Sequence, residues 1–502
     1  MISVPLTLDP AFRVGPVRPR TFGSFVEHLG RCVYTGIHDP EHPDADEDGF
    51  RRDVIELTRE LGVTTVRYPG GNFVSGYRWE DGVGPVEDRP ARLDLAWHST
   101  EPNTVGVDEF VRWTAAAGVE PMMAVNLGTR GVQEAVDLLE YCNVRGGTRL
   151  SDLRRAHGAK EPHDIRMWCL GNEMDGPWQI GHKTAHEYGR LAAEAGRAMR
   201  MVDPGLELVA CGSSGVAIPT FGEWERIVLG EAYEQVDLVS AHAYYFEEDG
   251  DLGSFLASAV DMDHFITSVA ATADAVRAHK KVDKRVHISF DEWNVWYQQR
   301  AESRPPTGDD WPVAPVLLED RYNVADAVVV GNLLIALLRH TDRVHAASLA
   351  QLVNVIAPIM TEPGGRSWRQ TIFHPFALTA RHAIGDVLQV AIDSPTYATA
   401  RHGDVALIDA VATRDPETGA VALFAVNRST TQSVVLDADL RSMPDLRTVE
   451  ATTLANPDHT WSATVDDATS VLPRPNGSAG LSDGRLTVSV PPVSWTLVRL
   501  AR

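Results

Sequence analysis

The sequence predicts an α/β fold, a (β/α)8 TIM barrel with a C-terminal all-β sandwich domain. Three observations lead to this prediction. Between about residue 20 and residue 380, short β-type runs alternate with amphipathic helical patterns. Eight such units follow one another, as in a closed parallel barrel. After about residue 384 the helical patterns stop, and strands separated by Gly, Asn, Asp and Pro turns replace them.

The length of the chain fits this division into two parts. At 502 residues it is too long for one ordinary core, so two domains are expected. We predict a catalytic barrel over residues 18–384 and a β-sandwich over residues 385–502. Residues 1–17 also have an extended pattern and are expected to complete the sandwich.

The predicted barrel strands are short, largely apolar runs that each end in polar residues. In chain order they are TFGSFVEHLG (21–30), TTVRYPGGN (64–72), EPMMAVNLG (120–128), IRMWCLGNE (165–173), LELVACGSS (206–214), VDLVSAHAYY (236–245), RVHISFDEWN (285–294) and AASLAQLVN (346–354).

Helical spacing of apolar residues is clearest in three segments between these strands: residues 48–62, 131–143 and 184–202. The most apolar run, AVVVGNLLIALL (327–338), is too short for a membrane span and contains Asn332, so we predict a packed helix. A long, Pro-rich loop at residues 298–315 follows the seventh strand and is expected to form a wall of the active site or to be mobile.

The predicted sandwich strands are runs of alternating character near the C-terminus. They are VALIDAVATRD (405–415), VALFAVNRST (421–430), SVVLDADL (433–440), TVEATTLA (448–455) and GRLTVSVPPVSWTLVRL (484–500).

Composition excludes several classes of function. The formal net charge of −23 argues against a nucleic-acid partner, whose phosphates attract Lys and Arg. The N-terminus lacks a basic region followed by an apolar run, so a cytoplasmic protein without a membrane partner is expected. The four cysteines form no C-x-x-C pair, which predicts free thiols in a reducing compartment and no metal site. No cofactor is expected.

The polar ends of barrel strands predict the functional site, because the C-terminal ends of parallel barrel strands share one face. A single polar strand end is weak evidence, since strand ends are exposed to water in any barrel. A set with several carboxylates, one guanidinium and several amides is stronger evidence. In strand order it consists of Glu27 and His28, Arg67 and Asn72, Asn126, Asn172 and Glu173, Ser213 and Ser214, His242 and Tyr244, Asp291, Glu292 and Asn294, and Gln351 and Asn354.

Glu173 and Glu292, which end strands four and seven, are the candidate catalytic pair. Glycoside hydrolysis needs two carboxyl groups, one to protonate the leaving oxygen and one to attack the sugar or activate water. We expect a separation of about 5 Å, the spacing of a retaining enzyme. Taken singly, either residue could instead be a solvated strand end or a member of a structural ion pair.

The remaining candidates have supporting roles. Arg67 could favour the ionised form of Glu292, since a nearby cation stabilises a carboxylate. His242 and Tyr244 lie two residues apart and therefore point to one face of strand six. Tyr244 could donate to the nucleophile and His242 could set the proton on the acid, although a lone barrel histidine is as often a structural donor.

Amide and carboxylate groups are suited to grip sugar hydroxyls, and aromatic rings to flank them. Candidates for hydrogen bonds to the sugar are Glu27, Asn72, Asn172 and Gln351. Candidates for cleft walls are Trp178, Trp296 and Trp97, each of which could equally be packed in the core of a loop.

Five long motifs in the chain resemble those of glycoside hydrolase family 51, the α-L-arabinofuranosidases. They are VRYPGGNF (66–73), AWHSTEPNTVGVDEF (96–110), CLGNEMDGPWQIGH (169–182), SFDEWNVWY (289–297) and AQLVNVIAPIMTE (350–362). The resemblance begins at residues 22–37 and extends into the β domain, so that it covers essentially the whole chain.

The resemblance implies a retaining, metal-independent, two-step mechanism with Glu173 as acid/base and Glu292 as nucleophile. It also implies release of terminal non-reducing L-arabinofuranosyl groups from arabinan, arabinoxylan and their oligosaccharides. Bacterial members of the family are commonly intracellular homo-oligomers, so a trimer or hexamer is expected.

Two alternatives stay open at this point. A few relatives are β-xylosidases or endoglucanases on the same scaffold, so the substrate is less firmly indicated than the mechanism. A non-catalytic carbohydrate-binding protein would require the loss of one catalytic residue, and both glutamates are present.

Overall fold

The computed structural model describes residues 2–502, in which the strands are numbered β1–β24 and the helices α1–α10 in chain order. Eight parallel strands close into a barrel, and a ten-stranded sheet forms most of the second domain. The predicted fold class is confirmed. The boundary between residues 384 and 385 stays a prediction, and residue 1 of the predicted segment 1–17 lies outside the described residues.

Each of the eight predicted runs overlaps a barrel strand. Around the barrel these strands are β2 (Gly23–Phe25), β3 (Thr65–Tyr68), β6 (Glu120–Val125), β7 (Met167–Leu170), β8 (Glu207–Ala210), β9 (Leu238–Tyr245), β10 (His287–Val295) and β11 (Val344–Leu349), and β11 pairs with β2 to close the barrel. Strand β10 ends one residue after its run, and β11 begins two residues before its run.

Helices connect successive strands and cover the outside of the barrel. They are α1 (Arg52–Leu61), α2 (Val107–Ala117), α3 (Val132–Asn143), α4 (Arg149–Ala156), α5 (Ala185–Val202), α6 (Glu223–Ala232), α7 (Leu252–Leu256), α8 (Ala259–Lys280), α9 (Val324–Arg339) and α10 (Phe373–His382). Short 3-10 helices occupy residues 19–22, 72–75, 79–82, 86–88 and 301–303.

Local sequence explains where these helices begin and end. At the start of α5, the Thr184 hydroxyl accepts a hydrogen bond from the Glu187 N–H, while the Glu187 carboxylate accepts one from the Thr184 N–H. At the end of α1, Gly62 takes a left-handed φ of 82° and its N–H bonds to the Arg59 carbonyl. These caps satisfy backbone groups that the helices themselves leave unpaired.

The second domain is one continuous sheet, ordered β21 (Arg474–Pro475), β20 (Thr448–Leu454), β24 (Ser494–Ala501), β18 (Val421–Asn427), β17 (Ile408–Arg414), β14 (Asp386–Ile392), β1 (Ile2–Pro16), β19 (Val434–Asp439), β23 (Arg485–Val490) and β22 (Gly480–Ser482). Its strands enclose a separate apolar core that includes Leu6, Leu423 and Leu436. The N-terminal strand β1 lies inside this sheet, antiparallel to β14 and parallel to β19.

Three two-stranded hairpins project from the main sheets. They pair β4 (Arg92–Asp94) with β5 (Ser99–Glu101), β12 (Ile359–Thr361) with β13 (Ser367–Arg369), and β15 (Thr396–Thr399) with β16 (Gly403–Ala406). The first two lie within loops of the barrel, where the sequence predicted no hairpin. Thr100 in the first hairpin bonds to the carbonyls of Trp311 and Pro312, so the Pro-rich loop packs against it.

Helix α9 connects the two domains and contains the apolar run 327–338, as predicted. Its Asn332 accepts hydrogen bonds from Arg428 and donates one of 2.8 Å to Asp409 of the β domain. One residue earlier, Gly331 packs so closely on Trp495 that a Cβ there would lie 2.3 Å from the indole Cδ1. Among residues 2–502, no helix is long and apolar enough to cross a membrane.

Candidate active site

The two candidate carboxylates meet at the C-terminal face of the barrel, as their strand ends predicted. Glu173 follows β7 and Glu292 lies in β10, and both side chains are buried. Gly171 and Glu173 have left-handed φ values of 94° and 42°. A non-glycine residue in this region stores backbone strain, which is tolerated where the surrounding structure fixes the conformation.

The spacing of the carboxylates has a chemical meaning. One oxygen of Glu173 and one of Glu292 lie within 4.8 Å of each other. This spacing matches the roughly 5 Å of retaining glycosidases, whereas inverting enzymes leave room for a water molecule between the two groups.

Glu292 is held by two donors. Arg67 Nη1 lies 2.7 Å from Glu292 Oε1, and the Tyr244 hydroxyl donates to Oε2 over 2.7 Å. Arg67 is fully buried and also donates to Asn172 Oδ1 over 2.6 Å. Charge-assisted hydrogen bonds of this kind stabilise a carboxylate anion and fix its orientation.

Glu173 has a different set of partners. His242 Nδ1 lies 2.9 Å from Glu173 Oε1, and the exposed Trp178 donates from Nε1 to Oε2 over 2.7 Å. The second ring nitrogen of His242 lies 2.9 Å from Asp291 Oδ1. Burial disfavours a charge on this imidazole, but Glu292, Asp291 and Glu173 outweigh it and raise the pKa of His242 to about 10.

Glu27 forms a third buried carboxyl group beside the pair. It accepts hydrogen bonds from Trp97 Nε1 over 2.9 Å, from Gln351 Nε2 over 3.0 Å and from the Phe73 N–H over 3.0 Å. Burial raises the pKa of Glu27 to about 8 despite the Phe73 hydrogen bond, which lowers it. Within residues 2–502, Gln351 Oε1 is buried without a hydrogen-bond partner. Such an acceptor is suited to a hydroxyl donor from a ligand.

The loop after β3 brings backbone against two of the three carboxyl groups, Glu27 and Glu292. A Cβ added at Gly71 would lie 3.0 Å from Glu292 Oε1 and 3.3 Å from Glu27 Oε2, and one at Gly70 would lie 2.8 Å from Glu27 Cγ. Glycine is needed at both positions because any side chain would push into the site. The partly exposed Asn72 follows directly and starts a 3-10 helix.

The three tryptophans differ in their surroundings. Trp178 is 53% exposed and flanks Glu173, as a cleft wall would. Trp296 packs edge-on against Tyr244 with ring centroids 5.0 Å apart, and its Nε1 donates to Ser303. Trp97 is only 9% exposed, and its indole N–H donates a hydrogen bond to Glu27. It is therefore packed beneath the polar side chains of the site and does not form an exposed wall of the cleft.

Asp291 is the residue of this site to which sequence reasoning gave no role. Alternation along a strand would turn it away from its neighbour Glu292. A register shift in the pairing of β10 with β9, between Ser289 and Glu292, breaks this alternation. Both carboxylates therefore reach His242, with Asp291 at 2.9 Å and Glu292 at 3.7 Å. The sequence holds no signal for this register shift in β10.

Glu173, His242 and Glu292 also bring three potential metal ligands within 4.8 Å of one another. A metal ion would need a neutral imidazole with a free nitrogen. Both nitrogens of His242 already face carboxylates, and its raised pKa keeps the ring protonated near neutral pH. The donor set fits proton transfer better than metal binding.

Comparison with known proteins agrees with this chemistry. A family model described as α-L-arabinofuranosidase 1 domain matches residues 57–264, and one described as α-L-arabinofuranosidase C-terminal domain matches residues 291–494. An intracellular exo-α-(1→5)-L-arabinofuranosidase of Streptomyces lividans is 59% identical over 100% of this chain and 76% of its own length. An exo-α-(1→6)-L-arabinofuranosidase of Bifidobacterium longum is 57% identical over 99% of this chain and 97% of its own.

Solved structures of α-L-arabinofuranosidases also resemble this chain over its whole length. A family 51 α-L-arabinofuranosidase from Bifidobacterium longum superposes with a TM-score of 0.95 at 50% identity, over 99% of both chains. An arabinose complex of α-L-arabinofuranosidase from Thermotoga maritima has a TM-score of 0.87 at 31% identity, over 100% of both chains.

Proposed function

The chain belongs to the α-L-arabinofuranosidases of glycoside hydrolase family 51 and acts as a retaining, exo-acting α-L-arabinofuranosidase; from this premise we propose that Glu292 is its nucleophile and Glu173 its acid/base. The observation that carries the assignment is a pair of buried carboxylates within 4.8 Å in two unlike environments. Glu292 has a permanent cation at 2.7 Å, which suits an anionic nucleophile.

In the first step, a carboxylate oxygen of Glu292 attacks the anomeric carbon of the terminal arabinofuranosyl group. The bond from that carbon to the leaving oxygen breaks, and Glu173 transfers its proton to the departing oxygen. Arg67 and Tyr244 orient the attacking carboxylate. The product of this step is a covalent glycosyl-enzyme ester on Glu292.

In the second step, the Glu173 carboxylate takes a proton from a water molecule that attacks the same anomeric carbon. The ester bond to Glu292 breaks and L-arabinose leaves with retained configuration. His242 holds the Glu173 carboxyl in position through both steps, since it bonds Oε1 from one side while Trp178 bonds Oε2. The same residue can therefore act first as acid and then as base.

Recognition of the arabinofuranosyl ring is assigned to the polar groups around the pair. The residues proposed to bind it are Glu27, Asn72, Asn172 and Gln351, with Trp178 and Trp296 as flanking rings. The unpartnered Oε1 of Gln351, noted among the described residues, supports this role. Asn172 supports it less strongly, because its Oδ1 is already engaged by Arg67.

The natural substrates are proposed to be arabinan, arabinoxylan and oligosaccharides derived from them. The relatives carry names with different linkages, 1→5 and 1→6, so linkage is not carried over to this chain. Turnover of arabino-oligosaccharides with defined 1,2, 1,3, 1,5 and 1,6 bonds would assign it. Comparison of aryl α-L-arabinofuranoside with aryl β-D-xyloside and a cellulose oligomer tests the xylosidase and endoglucanase alternatives.

A cytoplasmic location is also proposed, supported by the word intracellular in the names of relatives from Streptomyces lividans and Bacillus subtilis. A homo-oligomer, trimer or hexamer, stays a prediction. Light scattering of the purified chain at several concentrations would measure it, and a monomer at all of them would contradict it.

The catalytic assignment is tested with Glu292→Ala and Glu173→Ala. We expect Glu292→Ala to lose about a thousandfold or more in kcat/KM on an aryl α-L-arabinofuranoside with a good leaving group. Glu173→Ala should instead lose mainly kcat on this substrate, because the glycosyl-enzyme still forms without acid assistance but its hydrolysis lacks a general base. Azide should restore turnover of both by replacing the missing carboxylate. Rescue of Glu173→Ala should give a glycosyl azide of retained configuration, and rescue of Glu292→Ala one of inverted configuration.

The matched control is Glu194→Ala, which removes a partly exposed carboxylate on α5, far from the catalytic face, and should leave activity unchanged. Undiminished activity of either catalytic-site variant, or azide products of the opposite configurations, would contradict the assignment. Binding of oligosaccharides by the wild-type chain without any hydrolysis would instead favour a carbohydrate-binding protein.

A further inference from the structure

We propose that the N-terminal end of the barrel, opposite the active site, holds a binding site for a phosphate-type oxyanion. The site is formed by four basic residues, Arg18, His287, Arg343 and His345. A bound anion would fix the segment that leads into β2 against β10 and β11. This inference is independent of the glycosidase reaction, because none of the four residues lies at the catalytic face.

The four residues lie where the chain enters three neighbouring strands of the barrel, β10, β11 and β2. Arg18 precedes the 3-10 helix at residues 19–22, which leads into β2. His287 is the first residue of β10, and Arg343 and His345 lie on either side of the first residue of β11. Because parallel strands all begin at one end of a barrel, these side chains belong to the same face.

A direct contact holds the Arg18 segment against the loop before β11. The Thr341 hydroxyl, two residues before Arg343, donates to the Pro16 carbonyl, two residues before Arg18, over 2.6 Å. Further along, β11 and β2 close the barrel with only two paired positions. An anion bound between these segments would therefore stabilise the closure of the barrel.

Each of the four residues has a buried side-chain nitrogen without a hydrogen-bond partner within residues 2–502. These atoms are Arg18 Nε, His287 Nδ1, Arg343 Nε and His345 Nε2. Buried polar atoms normally have partners, so four such nitrogens in one cluster indicate a ligand that accepts hydrogen bonds. Guanidinium nitrogens can only donate, and a neutral imidazole can carry its N–H on either nitrogen.

Arg18 contributes a positive charge that no carboxylate neutralises in the part of the chain that the structure describes. Its neighbour Arg20 is paired with Glu120 and Glu207, so these two acids are already engaged. The Arg18 guanidinium itself forms no ion pair and no hydrogen bond among the described residues. A guanidinium presents its donors as a planar fork, which matches the oxygens of a phosphate or a carboxylate.

The two imidazoles lie in the same positively charged surroundings. Their rings stack with centroids 3.5 Å apart. Burial lowers the pKa of both rings, and the adjacent Arg18 and Arg343 lower it further, while Asp342 opposes the effect at His287. Neutral imidazoles could also bind a metal ion, but the two guanidinium groups would repel a cation and attract an anion.

A phosphate-type oxyanion matches this set of donors better than a carboxylate does. The donors come from three segments of the chain, and the four oxygens of a tetrahedral anion point in different directions. A carboxylate has two oxygens in one plane and pairs best with a single guanidinium. Inorganic phosphate and the phosphate group of a monoester share the required chemistry.

Calorimetric titration of the purified chain with sodium phosphate tests the site, at an ionic strength kept constant with sodium chloride. We expect one saturable site with a Kd of about 1 mM or lower. Arg18→Ala and His345→Phe should each weaken binding about tenfold or more, as for the loss of one strong hydrogen bond. Phenylalanine at position 345 keeps a ring that can stack and removes only the nitrogens.

Thermal unfolding of Arg18→Ala separates binding from structure. Because the guanidinium has no partner among residues 2–502, its removal should change the Tm in phosphate-free buffer by less than about 1 °C. Phosphate at about 20 times its Kd should raise the wild-type Tm by about 1–3 °C. The same addition should leave the Tm of Arg18→Ala nearly unchanged.

Arg441→Ala is the matched control, because it removes an exposed arginine of the β domain whose partner is Asp439, and it should bind phosphate like the wild type. Absence of saturable binding, or equal binding by Arg18→Ala, would overturn the proposal. A lower Tm of Arg18→Ala without phosphate would show a structural role and also overturn it.

Two further ligands define the chemistry of the site. Acetate should bind at least tenfold more weakly than phosphate, and equal affinity would overturn the assignment to a tetrahedral oxyanion. Phenyl phosphate distinguishes the two sources of the anion. Binding as tight as that of phosphate would support a phosphate monoester as the occupant, and exclusion would support free phosphate.

Discussion

His242 is the residue that links the proposed acid/base, Glu173, to the buried carboxylate of Asp291. It lies between Glu173 and Asp291, and the carboxylates around it raise its pKa to about 10, so the imidazole is protonated near neutral pH. A charged imidazole can donate from both nitrogens at once, so it fixes the acid/base on one side and is itself fixed on the other. Asp291 is therefore a positioning residue that acts through His242.

Asp291→Asn tests this role by the pH profile. In the wild type, the Asp291 hydrogen bond helps to raise the pKa of His242, so the imidazole stays charged until about pH 10. Without it the pKa falls, and His242 loses its second proton at lower pH. We expect the alkaline limb of kcat/KM on an aryl α-L-arabinofuranoside to move to lower pH, with a fall in kcat of about tenfold or more.

The matched control is Asp108→Asn, which weakens a buried Asp–His pair on α2, where His163 Nε2 lies 2.8 Å from Asp108. This variant should leave the pH profile unchanged. An unshifted alkaline limb in Asp291→Asn, or the same shift in both variants, would contradict the assignment of Asp291.

At the scale of single residues, the sequence predicted which side chains lie at the C-terminal face of the barrel but not all of the contacts between them. Glu173, Glu292, His242 and Tyr244 could be found because each ends a strand of an alternating α/β pattern. Asp291 was also among the polar strand ends, but its role could not be predicted, because its approach to His242 depends on a register shift in β10. Local irregularities of this kind arise from packing against the next strand and have no signature in a single sequence.

Strands β10 and β11 carry a pair of stacked imidazoles at the opposite end of the barrel from the active site. The rings of His287 and His345 stack with centroids 3.5 Å apart and an interplanar angle of 14°. Burial, followed by Arg343 and Arg18, lowers the pKa of His287 to about 4. Burial and the adjacent His287 lower the pKa of His345 to about 3. Both rings are therefore neutral in the folded protein near neutral pH.

This pair should make the barrel sensitive to acid. In the unfolded chain a histidine titrates near 6.5, so the unfolded state binds more protons between that pH and about 4. The stability that the neutral pair provides is thus present above pH 6.5 and is lost as the pH falls towards 4. His345→Asn should flatten this part of the curve of Tm against pH.

Differential scanning fluorimetry between pH 7.5 and 4.5 measures the effect. The control His264→Asn changes an exposed histidine on α8 and should follow the wild-type curve. If His345→Asn also followed the wild type, the stacked pair would not contribute to acid sensitivity. Activity near neutral pH should be unchanged in both variants, since neither residue lies at the catalytic face.

The elements themselves were largely predictable. All eight barrel strands overlap the predicted runs and six lie wholly inside them, because a buried parallel strand needs a short, apolar, uninterrupted segment. The β4–β5 and β12–β13 hairpins were not predicted, since they form within loops rich in polar residues. Such loops take their shape from contacts with other loops, as Thr100 does with the Pro-rich loop.

At the scale of the whole molecule, α9 makes one folding unit of the two domains. Its Gly331 allows the helix to approach Trp495, and the adjacent Asn332 joins the buried group of Asp409 and Arg428. Sequence analysis predicted a packed helix here but could not predict what it packs against. The partners of α9 are determined by contacts between segments that lie far apart in the sequence.

Gly331→Ala should destabilise the whole protein. A methyl group at this position would lie 2.3 Å from the Trp495 Cδ1 atom, so the helix or the indole must move. We expect a loss of about 1–3 kcal/mol in the free energy of unfolding, as for other overpacked sites, and a lower Tm by calorimetry.

Gly230→Ala in α6 is the matched control, because no heavy atom of the described residues lies within 4 Å of a Cβ built there. This change should instead stabilise by up to about 1 kcal/mol, through the higher helix propensity of alanine. An equal rise in Tm for both variants would show that the contact between α9 and Trp495 is not close in solution.

The position of β1 has a consequence for how the protein is made. This strand precedes the whole barrel in the chain, yet its partners β14 and β19 begin only at Asp386 and Val434. At about 5–20 residues per second, synthesis of the intervening chain takes roughly 20–75 s, during which β1 has no neighbour to pair with. The barrel has been translated by then, so the sheet of the β domain can form around β1 only late in synthesis, when β14 and β19 become available on its two sides.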